Sequence, residues 1–231
     1  MATLLPDASA RAHTFDGLAD DIISYALKHA RTVTARRGET ITRQGDPALQ
    51  IFVVREGYAK LVSTSAGGHH VLVGIAGPRD AFGHAAMAGE PRDYLVTSTA
   101  LTAVSAAAWD RDKALAIARE FPEVRQKIDA QLIRNVELVL GRLHTVSEGR
   151  VSQRLARALL ELADRHGHPD SLGVLIEPPL TRQDIAAIVA TTLFTVSRLL
   201  SEWESQGLVE SSRARVRVRN IEGLRLLASQ C

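Results

Sequence analysis

Arg198 and Phe194 lie four residues apart, and Leu193, Ser197 and Ser201 complete the same stripe at helical spacing. These side chains suit nucleic acid. A guanidinium bonds both acceptors on the guanine edge, which discriminates against other bases by about 1–3 kcal/mol. Leu193 and Phe194 offer no hydrogen bond, but they can press on thymine methyls or read groove shape. Thr181, Arg182, Thr191 and Thr192 are candidates for phosphate contacts, since hydroxyls, guanidinium groups and helix N-termini suit anionic oxygen, and Thr195 is a further candidate DNA-binding residue. Behind them Arg213, Arg215, Arg217 and Arg219 alternate in RARVRVR, so several guanidinium groups fall on one face of a strand. Such a strand suits a wing gripping phosphates; the plainer alternative is a solvated edge protected by charge.

Two short amphipathic helices must hold the stripe. Thr181 opens the first as an N-cap, Asp184 completes a capping box, and Ile185, Ile188 and Val189 supply its apolar face. The second runs from about Thr192 to Gln206, with Val196, Leu199, Leu200 and Trp203 turned to the core. Joined by a tight turn, they predict a helix-turn-helix whose outer stripe enters the major groove.

The segment closely resembles the C-terminal domain of the CRP/FNR family of bacterial transcription regulators. Leu180 to Ile185 reads LTRQDI, Thr195 to Arg198 reads TVSR, and Gly207 to Val209 closes the motif. The resemblance implies a regulator that binds a palindromic operator in double-stranded DNA as a homodimer, with RNA polymerase as a partner if it activates. The best-known members read a GTGA-type half-site with Arg, Glu and a further Arg. Here Leu193 and Phe194 occupy the first two places and only Arg198 is kept, so a different half-site is expected.

From about Arg31 to Trp109, short alternating runs punctuated by glycines predict strands at Val33 to Ala35, Ile41 and Thr42, Ile51 to Val54, Tyr58 to Ser63, His70 to Ile75 and Val96 to Ala108. The order of turn glycines resembles the family's cyclic-nucleotide-binding β-roll. Pro78-Arg79-Asp80 replaces its usual Pro-Gly-Asp, which predicts a turn of altered shape. In the cyclic-AMP branch a Glu after Phe-Gly holds the ribose and Arg-Ser-Ala holds the phosphate. Aligning Phe82-Gly83 puts His84 at the Glu, with Ala85 following, and Tyr94, Leu95 and Val96 at Arg-Ser-Ala. Without a guanidinium a buried phosphate is uncompensated, so ordinary cyclic AMP binding is not expected unless Arg92, two residues earlier, substitutes. The replacement pattern is similar to members that respond to nitrogen oxides, some of which carry haem. Axial haem ligands are available among His13, His29, His69, His70, His84, His144 and Met87, and nothing in the sequence selects one. A constitutive, effector-free DNA binder is the remaining alternative.

Between the two patterned regions, Arg111 to His166 is rich in helix formers. Leu132, Val136, Val139, Leu143 and Val146 step by four and three, the spacing of a coiled-coil seam. The resemblance implies pairing with a second copy. Val151 to Arg165 predicts the first helix of the winged domain, with Leu155, Leu159, Leu160 and Leu162 inward, and Gly173 to Glu177 a short strand. The fold class expected is α+β: a jelly-roll-like β-roll over 1–110, a dimerisation helix over 111–147 and a winged helix-turn-helix over 148–231. At 231 residues the chain can bury two modest cores. Its net charge of +2 excludes little, because a DNA binder needs a local basic face only. The single Cys231 argues against a cysteine-ligated iron–sulfur cluster within one chain. No membrane span, leader, Walker loop, metal-ligand cluster or nucleophile–base pair is recognised, which predicts a cytoplasmic protein that is not an enzyme.

Overall fold

The computed structural model describes residues 14–68, 70–148 and 150–229, with the side chains of 142–148 outside the described set. Helix α1 (Asp20–Lys28) precedes eight strands: β1 (Arg31–Ala35), β2 (Thr40–Thr42), β3 (Gln50–Glu56), β4 (Ala59–Thr64), β5 (His70–Ala76), β6 (Ala81–Phe82), β7 (Thr97–Ala100) and β8 (Val104–Asp110). A single 3₁₀ turn, His84–Met87, separates β6 from β7. Then follow α2 (Arg111–Glu120), α3 (Pro122–Glu148), α4 (Val151–His166), β9 (Gly167–Asp170), β10 (Gly173–Ile176), α5 (Arg182–Ile188), α6 (Leu193–Ser205), β11 (Val209–Ser212), β12 (Arg215–Val218) and α7 (Ile221–Ser229). The fold is α+β, a β-roll followed by a winged helix-turn-helix.

The first compact unit covers residues 12–137. Two four-stranded antiparallel sheets, ordered β1-β8-β3-β6 and β2-β7-β4-β5, share one core. Phe52 and Phe82 stack in it with ring centroids 4.8 Å apart, and Ala106, Ala107 and Ala108 keep β8 thin. Trp109 Nε1 donates to the Ala26 carbonyl at 2.7 Å, which fixes α1 on this core. The run expected as one strand from Val96 to Ala108 is two strands in different sheets. It breaks at Leu101 to Ala103, where the Leu101 amide turns to the Tyr58 carbonyl at 2.7 Å. The unit also passes the expected limit at residue 110, because Ala114, Ile117, Val124 and Ile128 of α2 and α3 bury against the roll. Gln131 extends this attachment: its amide accepts from Thr14 and from the Ala81 amide, and donates to the Ala81 carbonyl at 3.2 Å.

Pro78-Arg79-Asp80 forms a hydrogen-bonded turn. Arg79 takes the left-handed conformation itself, at φ 74°. The Asp80 carboxylate accepts from the Gly77 amide at 2.9 Å, the Arg79 amide donates to the Val54 carbonyl at 2.7 Å, and the guanidinium pairs with Asp16. These bonds over-determine a geometry that glycine adopts without strain.

The second unit covers residues 138–231. A sheet ordered β11-β12-β10-β9 and helices α4 to α7 bury Leu155, Leu159, Leu162, Val174, Val196, Trp203, Val218 and Leu224. Leu160 is only half-buried. Along α3 itself, Leu132, Ile133, Val136 and Leu140 stand exposed, and Val139 is half-buried. The stripe is broader than the expected seam, and the Leu143 and Val146 side chains lie outside the described residues.

Candidate functional site

Helices α5 and α6 are bent by 104° across a four-residue break, the geometry of a helix-turn-helix. Both starts are capped. Thr181 Oγ1 accepts from the Asp184 amide at 3.1 Å and donates to the Asp184 carboxylate at 2.6 Å, while the carboxylate accepts the Thr181 amide at 3.0 Å. Thr192 Oγ1 accepts from the Thr195 amide at 3.2 Å. Between them Ala190 takes a left-handed φ of 49°. Arg154 reaches from α4 to that turn, donating from Nε to the Val189 carbonyl at 2.9 Å and from Nη2 to the Ala190 carbonyl at 3.3 Å. The guanidinium thus satisfies carbonyls that the end of α5 leaves open.

Val196, Leu199, Leu200 and Trp203 of α6 are buried, and the opposite stripe faces out. Phe194 is 83% exposed, Leu193 42%, and Ser201 is exposed beside them, with Ser197 and Thr195 half-buried. Arg198 is exposed and carries a 3.4 Å pair with Glu202, one turn along the helix. A surface pair of this kind contributes about 0.3–0.5 kcal/mol, small enough for a guanine to displace. Thr191 and Thr192 sit at the N-terminus of α6, where partial positive charge collects.

The basic strand divides in two. Arg213 and Arg215 are exposed at the tip of the β11–β12 hairpin and make no ion pair among the described residues. Arg217 does not present itself for phosphate as expected. Its side chain is 17% exposed, clamped at 2.9 Å by Glu210 on the facing strand and at 2.9 Å by Asp170. The hydrogen bonds to those carboxylates hold its pKa above the ordinary arginine value. Arg217 is a strut of the wing, because strand alternation turns it toward β9 and β11 together. Thr181 is likewise committed, its hydroxyl proton going to Asp184. Arg182 donates to Ser211 Oγ at 3.1 Å, tying α5 to β11.

In the β-roll, Gly83 is required: φ is +81°, and a Cβ would meet the Gln50 carbonyl oxygen at 2.8 Å. Tyr94 is buried beside it, with its hydroxyl donating to the Gln50 carbonyl at 2.9 Å and accepting the Gln50 amide at 3.1 Å. Burial raises the phenol pKa, so this ring is a neutral plug pinned to β3. His84 Nε2 is enclosed and has no hydrogen-bond partner among the described residues. Burial pushes its pKa down to about 4 against the pull of Asp129 and Asp80, so the ring is neutral near pH 7. Ala85 is half-buried, Leu95 and Arg92 are exposed, and Val96 is half-buried. Tyr94 lines an open cleft of about 770 Å³ with Arg31, Arg43, Asp46 and Asp110; His84 is not among its lining residues. The expected pocket residues therefore do not converge on that cleft. Of the other histidines considered, His13 and His69 lie outside the described residues, as does the side chain of His144. No group of three or more His, Cys, Asp or Glu able to hold a metal ion occurs among the described residues. No single helix there is long and apolar enough to cross a membrane.

A nucleotide-binding-like roll followed by a winged helix-turn-helix defines the class of two-domain bacterial regulators that act on DNA. Residues 32–121 match the cyclic nucleotide-binding domain, and residues 153–227 match the Crp-like helix-turn-helix domain. The chain belongs to the CRP/FNR family of DNA-binding transcription regulators. It is 26% identical over 215 residues to the CRP-like cAMP-activated global transcriptional regulator of Mycobacterium tuberculosis, covering 93% of this chain and 96% of that one. It is 29% identical over 205 residues to the cyclic AMP receptor protein of Thermus thermophilus, covering 89% and 91%. The fold matches that of FixK2 from Bradyrhizobium japonicum with a TM-score of 0.76 at 22% identity, over 87% of this chain and 98% of that one.

Proposed function

We propose that this regulator binds a palindromic operator as a homodimer, reading bases with the outer face of α6 and gripping phosphates with Arg213 and Arg215. The observation that supports this reading is a capped α6 whose polar-plus-Arg stripe is exposed beside two wing arginines that make no ion pair among the described residues. Thr191, Thr192 and Arg182 add hydroxyl and cationic groups at the helix starts. Exposed Leu132, Ile133, Val136 and Leu140 support pairing of α3 with its copy, since an apolar stripe of this length in water favours a partner. If the protein activates, RNA polymerase is its further partner. Selection from random duplexes, followed by binding at several salt concentrations, tests the reading. A symmetric selected motif with a salt-dependent affinity supports it, and salt-insensitive or unselective binding contradicts it.

The β-roll, in this reading, is not switched by cyclic AMP. Tyr94 is pinned to Gln50, and aligning Phe82-Gly83 with the family pattern would put Tyr94 in place of the phosphate-binding arginine and His84 in place of the ribose-binding Glu. Relatives named for cyclic AMP keep the nucleotide as a second reading, in which the exposed Arg92 would have to turn inward. Calorimetric titration separates them: micromolar binding with a matching gain in operator affinity favours the second. The unpartnered His84 Nε2 also keeps haem in view, and an absorption spectrum with and without added haem tests it.

A further inference from the structure

Phe194 is 83% exposed in a chain with only five phenylalanines, at the second residue of α6 and next to a partly exposed Leu193. Phe15 packs edge-on against Trp109, Phe52 stacks on Phe82, and Phe121 meets Tyr25. Among the described residues Phe194 has no such ring partner, and it does not serve the helix, whose buried face is made by Val196, Leu199, Leu200 and Trp203. A polar residue at this exposed position would be as good a helix former as phenylalanine or better. The ring stands one helical turn before Arg198 on the same stripe, so whatever Arg198 meets, Phe194 meets close by.

Resting on the DNA-reading function proposed above, we infer that Phe194 and Leu193 specify thymine through its C5-methyl group. In the major groove, hydrogen-bond donors and acceptors line every base edge, and the thymine methyl is the apolar group they leave. A ring and an isobutyl group gain nothing from the polar edges of guanine, adenine or cytosine, and would strip water from them without replacement. Four residues of helix advance about 6 Å, close to two base-pair steps of about 3.4 Å. The half-site should therefore carry thymine about two base pairs from the guanine read by Arg198.

The test exchanges thymine for deoxyuridine, which removes the methyl and leaves every hydrogen-bonding atom in place. The full-length protein first selects its own site from random duplexes. Each symmetric thymine pair is then replaced by deoxyuridine, and affinity is followed by fluorescence anisotropy for the wild type, Phe194→Ala and Phe194→Leu. Burying one methyl corresponds to about a fourfold change in affinity, so a symmetric pair should cost the wild type about 15-fold. At the thymine pair that Phe194 reads, Phe194→Ala should bind thymine and deoxyuridine duplexes within twofold of each other, and Phe194→Leu should retain part of the gap. Because the side chain is exposed, neither variant should unfold the domain. The inference is overturned if the selected motif has no thymine near the guanine, if deoxyuridine is tolerated by the wild type, or if Phe194→Ala keeps the full gap. Selective binding with no methyl dependence overturns this inference alone, whereas absence of selective binding also removes the DNA-reading function on which it rests.

Discussion

His84 supplies a measurable pH dependence whose sign is fixed by its surroundings. Its pKa lies near 4 in the folded protein because burial disfavours the imidazolium, against an ordinary value of 6.5. Between these values the unfolded chain binds the extra proton, so the contribution is fully present above pH 6.5, declines as pH falls and is lost below about 4. The whole span corresponds to about 3 kcal/mol, and at pH 5 about 2 kcal/mol should already be gone. Leucine at this position cannot titrate and has comparable bulk. His84→Leu should therefore gain about 2 kcal/mol on the wild type between pH 7.5 and pH 5, with carboxylate titrations common to both chains cancelling. Urea unfolding at a series of pH values, read from Trp109 in a Trp203→Phe background, isolates the β-roll, since Trp109 sits in its core and these are the chain's two tryptophans. A stability difference that stays flat from pH 7.5 to 5 would refute the enclosure of Nε2.

Ala190→Gly, at a φ of 49° in the turn between α5 and α6, should raise stability of the winged domain by about 0.5–1 kcal/mol, seen as a higher Tm. Arg217→Ala should lower the stability of that domain by about 1–3 kcal/mol in thermal unfolding, because it leaves Asp170 and Glu210 facing each other without their shared cation. Arg215→Ala should leave Tm unchanged while reducing the slope of log affinity against log salt by about one unit. Val139→Glu should set like charges across the proposed seam and yield monomers in sedimentation; an unchanged dimer would argue against that use of α3.

The winged half was legible because its signals are local. Thr181 and Thr192 cap helices from three residues away, and the buried and exposed stripes of α6 follow from a period of 3.6. Long-range pairing was less legible. Val96 to Ala108 alternates like one strand, and the change of sheet at Leu101 is set by an amide bonding to Tyr58, 43 residues away in sequence. Strand β9, Gly167–Asp170, carries a proline and no apolar alternation, and exists because β10 offers it an edge. Arg217 could not be told from Arg215 by type or spacing, since what commits it is Asp170 arriving from β9. The left-handed Arg79 likewise shows that tertiary hydrogen bonds can hold a conformation that composition argues against. In the sensory half, substitutions at His84 and Tyr94 marked a departure from the cyclic-AMP pattern, but only side-chain geometry separates a pinned plug from an enclosed, unbonded imidazole nitrogen.

Base reading by the outer face of α6 is tested most directly by comparing the sites selected by the wild type and by Arg198→Ala from one random duplex pool. Arg198 is exposed and its weak pair with Glu202 contributes little to folding, so the variant should remain folded. The expected result is a motif that keeps its symmetry and half-site spacing but loses its preference at one guanine in each half-site, with affinity for the original site down about 30-fold or more, since each of the two contacts contributes about 1–3 kcal/mol. An Arg198→Ala motif identical to that of the wild type would contradict the assignment of α6 as the reading helix.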